Sequence, residues 1–361
     1  MADINKAAEL LKSKQHFEIL DGLRGVAALV VVIFHFMEIA ITDYNNNFIA
    51  HGYLAVDFFF CLSGFVISYA YDSRIADMKF ISFVQLRLIR LYPLVIIGSV
   101  LGLIGFLTDP YSDFYPVYGF KQTALIFISS VLVIPYPVMP ERYFNLFSLN
   151  APVWSLFWEF VANLVYATLL FKISKKMLFP LVMLAAAGII YVALHAGNVS
   201  GGWGGPNFLD GLARVSFSFL MGMLIYRGDW VIKNKIGLPG MTVLLLLAFL
   251  IPYNDHWNWL IEPVLVIVYL PLLVALGAGS GLSARHYTIN KISGDISYPL
   301  YMVHYPFVWI FLPYVAVEKP TMSHLSWLIP CSVFLLLGLA YLTVRFLDLP
   351  IRRYLTNRLV G

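Results

Sequence analysis

A chain of 361 residues that is 60% hydrophobic and only 12% charged, with a mean hydropathy of +0.79, is not a soluble globular protein. Soluble chains carry charge on about a quarter of their residues. The formal charge of +4 says less than where the charges fall, and Cys61 and Cys331 both lie in apolar stretches where no disulfide is expected.

The first 16 residues, MADINKAAELLKSKQH, are polar and lack the small-residue cleavage site of a secretory signal. Stretches long enough to cross a bilayer, roughly 20 residues, follow at about 18–42, 52–71, 83–107, 153–171, 177–195, 208–226, 237–253, 258–278, 292–315 and 325–346. The expected fold is therefore all-α, a polytopic integral membrane protein of about ten transmembrane helices. An eleventh apolar run at 122–134 is about two thirds of a span and ends in the proline-broken IPYPVMP. Basic residues decide how to read it, because they collect on the cytosolic side. If the run does not cross, that side receives every one of the 24 Lys and Arg except Lys121, Arg142, Arg214 and Lys319. The expectation is a short re-entrant or interfacial segment at 122–134, which walls a cavity open to the outer side, with both termini cytosolic. Residues 1–17 then form a cytosolic segment and 18–356 one transmembrane domain. Only about 15 residues follow the last span, so no extramembranous catalytic domain is expected there. The glycine cluster SGGWGGPN at 200–207 lacks the lysine of a phosphate loop and reads as a flexible outer turn.

Ionisable groups within these spans are expensive and usually functional. In LDGLRGVAALVVVIFHF, Arg24 and His35 are eleven residues apart, so they share a helix face about 16 Å apart along the axis. Counting from the expected outer ends of their helices, His35, Asp57 and Glu159 all come out about 10 Å deep, a titratable layer in which a carboxylate could orient the imidazole. At the inner end of the third span, QLRLIRLYPL projects Arg87 and Arg90 from one face, a pair suited to a polyanion such as a phosphate. A third stretch, ISYPLYMVHYP, places His304 in mid-span with Ser297, Tyr298 and Tyr301 one or two turns earlier. Arg214 stands one turn from Asp210, its expected partner. The histidines and Glu159 show no HxxxH or HExxH spacing, so no metal is expected.

LDGLRGVAALVVVIFHF, AVDFFFCLSGFVIS, RLIRLYP, WSLFWEF, ISYPLYMVH and DLPIRRYL, in that order from Leu20 to Tyr354, resemble the successive signatures of the membrane acyltransferase-3 family. The family's basic residue, ten others and a histidine match Arg24 and His35. Its paired arginines match Arg87 and Arg90, and its tryptophan-serine-leucine-x-x-glutamate motif matches Trp154, Ser155, Leu156 and Glu159. In the closing motif Asp348 stands where the family commonly has glutamate. The resemblance implies an O-acyltransferase of the bacterial cytoplasmic membrane. It would move an acyl group, most simply acetyl, from cytosolic acyl-CoA as co-substrate to a hydroxyl of a carbohydrate or glycoconjugate at the outer side, with no nucleic-acid partner. His35, Glu159 and Asp57 would be catalytic. Arg24, Arg87, Arg90, Trp154, Ser155, Tyr298 and His304 would bind substrates. The other reading of the composition is a multi-pass transporter of a lipid-linked sugar or acyl carrier. Transporters commonly show inverted repeats with broken helices in both halves, and only one interrupted segment is visible here.

Overall fold

A backbone in hydrocarbon must satisfy its own polar groups, which apolar stretches of this length do by coiling into helices. The computed structural model describes residues 17–359, and their regular structure is helical, with no strand among the described residues. The expected cytosolic segment 1–17, with Lys6, Lys12 and Lys14, lies outside the described residues apart from Phe17. In chain order the helices are α1 (Glu18–Ala40), α2 (Ala55–Tyr71), α3 (Phe80–Thr108), α4 (Tyr115–Leu132), α5 (Val153–Thr168), α6 (Lys175–Ala196) and α7 (Phe208–Gly228). They continue with α8 (Gly237–Phe249), α9 (Asn258–Gly279, with a π turn at Leu265–Tyr269), α10 (Tyr287–Val303), α11 (Tyr305–Glu318), α12 (Met322–Thr343) and α13 (Leu349–Leu359). Seven helices among the described residues are long and apolar enough to cross a membrane, and α10 with α11, bent by 51° where they meet, counts as an eighth if the pair is taken as one span. The remaining two expected spans are the shorter helices α5, of 16 residues, and α8, of 13 residues. The last span does not stop at residue 346. A π turn at Val344–Asp348 carries α12 into α13 as one helical rod.

Contacts between loops sort them into two ends. At one end Asp72, which follows α2, binds Arg227 at the close of α7, and Arg227 also donates to the carbonyls of Leu170 and Ile173 after α5. At the other end Asn45, after α1, donates to Asp255, after α8, at 2.7 Å, and Leu146 pairs with Trp203. We call these the arginine end and the histidine end, after Arg87 and His35.

Helix α1 is the axis of the site because α10 runs parallel to it in close register. Asn290 donates to the Glu18 carbonyl, Ser293 to that of Gly22, and Arg24 reaches Ser297 and the Gly294 carbonyl. Near the far end the rings of His35 and His304 stack at 5.5 Å. Without a hydrophobic driving force between helices in lipid, such contact depends on small residues that let backbones approach. At Gly25 a side chain would overlap the backbone of Ser293, and at Gly222 of α7 it would overlap the Cys61 carbonyl of α2.

The expected dip at 122–134 is a longer hairpin. Helix α4 begins at Tyr115, kinks at Gly119 (φ 61°), and penetrates until Ser130 meets Ser99 in the body of α3 at 2.9 Å. Val133 then takes a left-handed conformation (φ 56°) and the chain runs back beside the helix. Tyr136 accepts from Gln122 at 3.0 Å, and Tyr118 donates to Glu141 at 2.6 Å, so the segment returns to the end from which it entered. Residues 145–156 are buried, and Asn150 donates to the Met302 carbonyl in α10 at 2.9 Å. Helix α5 therefore starts within the bundle rather than at its surface.

Candidate active site

Two chambers open within the bundle and meet at its middle. The one at the arginine end is lined by Arg24, Arg87, Arg90 and Arg352, with Glu159, Asp348, Ser155, Tyr298 and Tyr301 among the remaining walls. Three of its guanidiniums are held in place. Arg24 Nε donates to Ser297 Oγ at 2.9 Å and Nη2 to the Gly294 carbonyl at 3.0 Å, with Asp21 at 3.4 Å. Arg87 Nη2 donates to Glu159 Oε1 at 3.0 Å, an oxygen that also accepts from Ser63 at 2.9 Å, while Arg87 Nε is buried without a protein partner. Asp348 holds Arg352 at 3.3 Å from within the π turn. Tyr298 donates to the Leu91 carbonyl, tying α10 to the turn of α3 before Pro93.

The chamber at the histidine end is aromatic. His35, Glu38, Tyr44, Tyr53, Trp154, Trp203, Arg214, Tyr305 and Trp309 line it. His35 Nδ1 lies 2.6 Å from Glu38 Oε1, and the other carboxylate oxygen accepts from Tyr44 at 3.0 Å. Tyr44 sits in the loop after α1, where burial and the neighbouring Glu38 charge raise its pKa and keep the phenol protonated as a donor. Tyr305 meets the imidazole edge-on at 4.8 Å. His304, wholly buried at the break between α10 and α11, points Nδ1 at the Leu300 carbonyl and leaves Nε2 without a protein partner.

The two chambers share Val56 and Tyr301 as walls. Tyr301 is hydrogen-bonded to Ser155 at 2.8 Å, and its ring lies 5.9 Å from that of His304.

The model of the family described as "Acyltransferase domain" matches residues 17–345. The chain belongs to the acyltransferase-3 family. This acyltransferase is 34% identical over 188 residues to "Protein 2 in picA locus" of Rhizobium radiobacter, a match covering 50% of this chain and 95% of the relative. It is 26% identical to "O-acetyltransferase OatA" of Staphylococcus aureus (strain NCTC 8325 / PS 47), a match covering 96% of this chain and 59% of the relative. The chain thus spans about three fifths of the length of that staphylococcal relative. No solved structure matches it.

For an integral membrane acyltransferase, the placement of the expected site residues divides cleanly. Arg24, Arg87, Arg90, Ser155 and Tyr298 converge on one chamber, His35 and Trp154 on the other, and His304 stands behind His35. The expected layer of His35, Asp57 and Glu159 does not form. Because α5 starts inside the bundle, Glu159 falls in the arginine chamber, bonded to Arg87. Asp57 faces α7, where it binds Arg214 through three hydrogen bonds of 2.7 to 3.2 Å, both side chains being buried. Arg214 therefore pairs with Asp57 rather than with Asp210. It also donates to the carbonyls of Tyr53, Ser200 and Gly201 and lies 5.2 Å over Trp154, so Asp57 braces the wall of the chamber. That bond, together with Asn207 accepting from the backbone of Gly202 and Gly204, pins the SGGWGGPN turn that was expected to be flexible. The carboxylate on the His35 ring is Glu38. Its signal was present in the sequence, since a residue three positions on shares the helix face of His35.

Proposed function

We propose that this acyltransferase moves an acetyl group from cytosolic acetyl-CoA to a hydroxyl of a carbohydrate or glycoconjugate on the outer side of the membrane. In this reading the arginine end is cytosolic, as are both termini, residues 18–356 form the catalytic domain and 1–17 precede it in the cytosol. The membrane is the bacterial cytoplasmic membrane. The observation that carries the proposal is that an arginine-lined chamber and an imidazole-bearing chamber abut across Val56 and Tyr301. Arg24, Arg87 and Arg90 supply charge-assisted donors of the kind that clamp phosphate, and Arg352 adds a fourth cation to the same wall. The relative named an O-acetyltransferase favours acetyl among acyl groups.

The chemistry needs one proton acceptor. With Nδ1 engaged by Glu38, the tautomer that donates from Nδ1 leaves a lone pair on Nε2. His35 Nε2 takes the proton of the acceptor hydroxyl as its oxygen bonds to the thioester carbonyl carbon. The carbon–sulfur bond then breaks, and the thiolate of CoA leaves with the proton returned by the imidazolium. The products are the ester and CoA–SH. Glu38 positions the ring and stabilises its charged form, and Tyr44 holds Glu38.

General-base catalysis of this kind contributes about 10² to 10⁴ in rate. His35→Ala is expected to lose acetyl transfer from radiolabelled acetyl-CoA by at least that lower factor while still inserting and binding the donor. Undiminished transfer in that variant would overturn the role of His35. Failure of the wild-type protein to release CoA from any acyl-CoA would overturn the choice of donor.

A further inference from the structure

Resting on the reading of the arginine chamber as the donor site, we propose that Val56, Tyr301 and Ser155 measure the acyl chain and restrict the enzyme to two- or three-carbon acyl groups. The wall between the chambers is one side chain thick, because Val56 and Tyr301 line both. Two of its parts sit at helix starts. Val56 lies in the first turn of α2 and Ser155 in the first turn of α5, both buried. Ser155 Oγ donates its only proton to the Pro152 carbonyl at 3.0 Å, so in the 2.8 Å contact it is Tyr301 that donates. The Tyr301 ring is held on its other side by Phe59, edge-on at 5.7 Å.

A thioester entering from the arginine end must present its carbonyl carbon at this wall, since the acceptor and His35 lie beyond it. Any alkyl carbon past the carbonyl then has to lodge among Val56, Phe59 and Tyr301. The phenol, latched by one neutral hydrogen bond, is the part that can swing aside, since such a bond is weak once its exchange with water is counted. The helix-borne Val56 and Ser155 cannot follow it. The room for the alkyl group is therefore what the phenol vacates beside Val56 and Phe59, and each methylene beyond an ethyl group has to crowd those side chains.

Size and latch are separable by mutation. Val56→Ala enlarges the wall and keeps the hydrogen bond. Val56→Leu narrows it. Tyr301→Phe keeps the bulk and removes the bond. The test measures CoA release and acyl transfer from acetyl-, butyryl- and hexanoyl-CoA by the purified full chain in nanodiscs. Wild type is expected to prefer acetyl-CoA to butyryl-CoA by at least tenfold. Each methylene accommodated corresponds to about fourfold in rate, so Val56→Ala is expected to move that ratio by about tenfold toward butyryl, and Val56→Leu to move it the other way. Tyr301→Phe is expected to leave the ratio unchanged and to raise CoA release in the absence of acceptor. Equal turnover of acetyl- and hexanoyl-CoA by wild type, or ratios unmoved in both Val56 variants, would overturn the ruler while leaving the donor site intact. No turnover of any CoA thioester by wild type would overturn both.

Discussion

Glu38 stands one helical turn beyond His35, with one carboxylate oxygen on the imidazole at 2.6 Å and the other on the Tyr44 phenol at 3.0 Å. A carboxylate in that position fixes the tautomer and favours the imidazolium that forms during proton transfer. Glu38→Gln keeps the shape and removes the charge. We expect kcat for acetyl transfer to fall by about 10², within the range of general-base contributions, with the KM for acyl-CoA within about twofold of wild type because no donor contact is lost. Stopped assays over a series of donor concentrations separate the two. An equal loss in binding would mean that Glu38 acts by holding the fold. At this scale the sequence exposed the polar residues but not their pairing. Arg24, His35 and Arg87 were legible because charge in an apolar run is costly. The depth of Glu159 was misread because it was counted from an assumed membrane surface, and α5 begins beside Met302 in the interior, while Asp57 was misassigned because depth does not show that it faces Arg214 of α7.

The helix pair α1 and α10 converts a sequence spacing into a site. Their parallel register carries contacts from Glu18 and Asn290 through Arg24 and Ser297 to His35 and His304, so a displacement anywhere along it moves both chambers. Gly25 is the tightest place to test this, since any Cβ there meets Ser293 Oγ and the Ser293 carbonyl. Overpacking costs typically 1–3 kcal/mol. Gly25→Val is expected to lower the thermal unfolding midpoint in detergent and to weaken acyl-CoA binding severalfold, because the neighbouring Arg24 loses its grip on Ser297. Isothermal calorimetry on the monodisperse variant would read the second effect, and unchanged affinity would show that Arg24 is not held by this contact. The small residues of DGLRG were visible in the sequence. That they face α10 was not, because helical periodicity gives a face without naming its partner. The hairpin built on α4 was legible in kind, from the basic residues and IPYPVMP. Its length was not, because Gly119 and Val133 turn the chain by backbone conformation rather than by polarity.

Over the whole molecule the topology turns on α8, whose 13 residues reach only about 20 Å at 1.5 Å per residue, short of a hydrocarbon core of about 30 Å. The loops on either side of it nevertheless belong to opposite ends. Asn234, before α8, is paired with the Ser280 segment, while Asp255, after it, is bonded to Asn45 beyond the close of α1. A helix too short to span unaided can still join the two ends if the bundle shields it, and α8 packs partly buried residues such as Leu238 and Leu244 against the core that α1 shares. Sidedness then follows without further assumption. In a Cys331→Ser background, with Cys61 buried, single cysteines at Lys235 and Asp255 are expected to react with a membrane-impermeant maleimide from opposite faces of sealed vesicles. Cysteines at Tyr115 and Tyr143, which flank the α4 hairpin and are both exposed, are expected to react from one face, the one that labels position 255. Labelling of 235 and 255 from the same face would mean that α8 does not cross, and the basic joints after it would then lie opposite Arg87. In that event Arg352 could not share a wall with Arg24, and the four-cation chamber on which donor binding depends would have to be abandoned along with its cytosolic mouth.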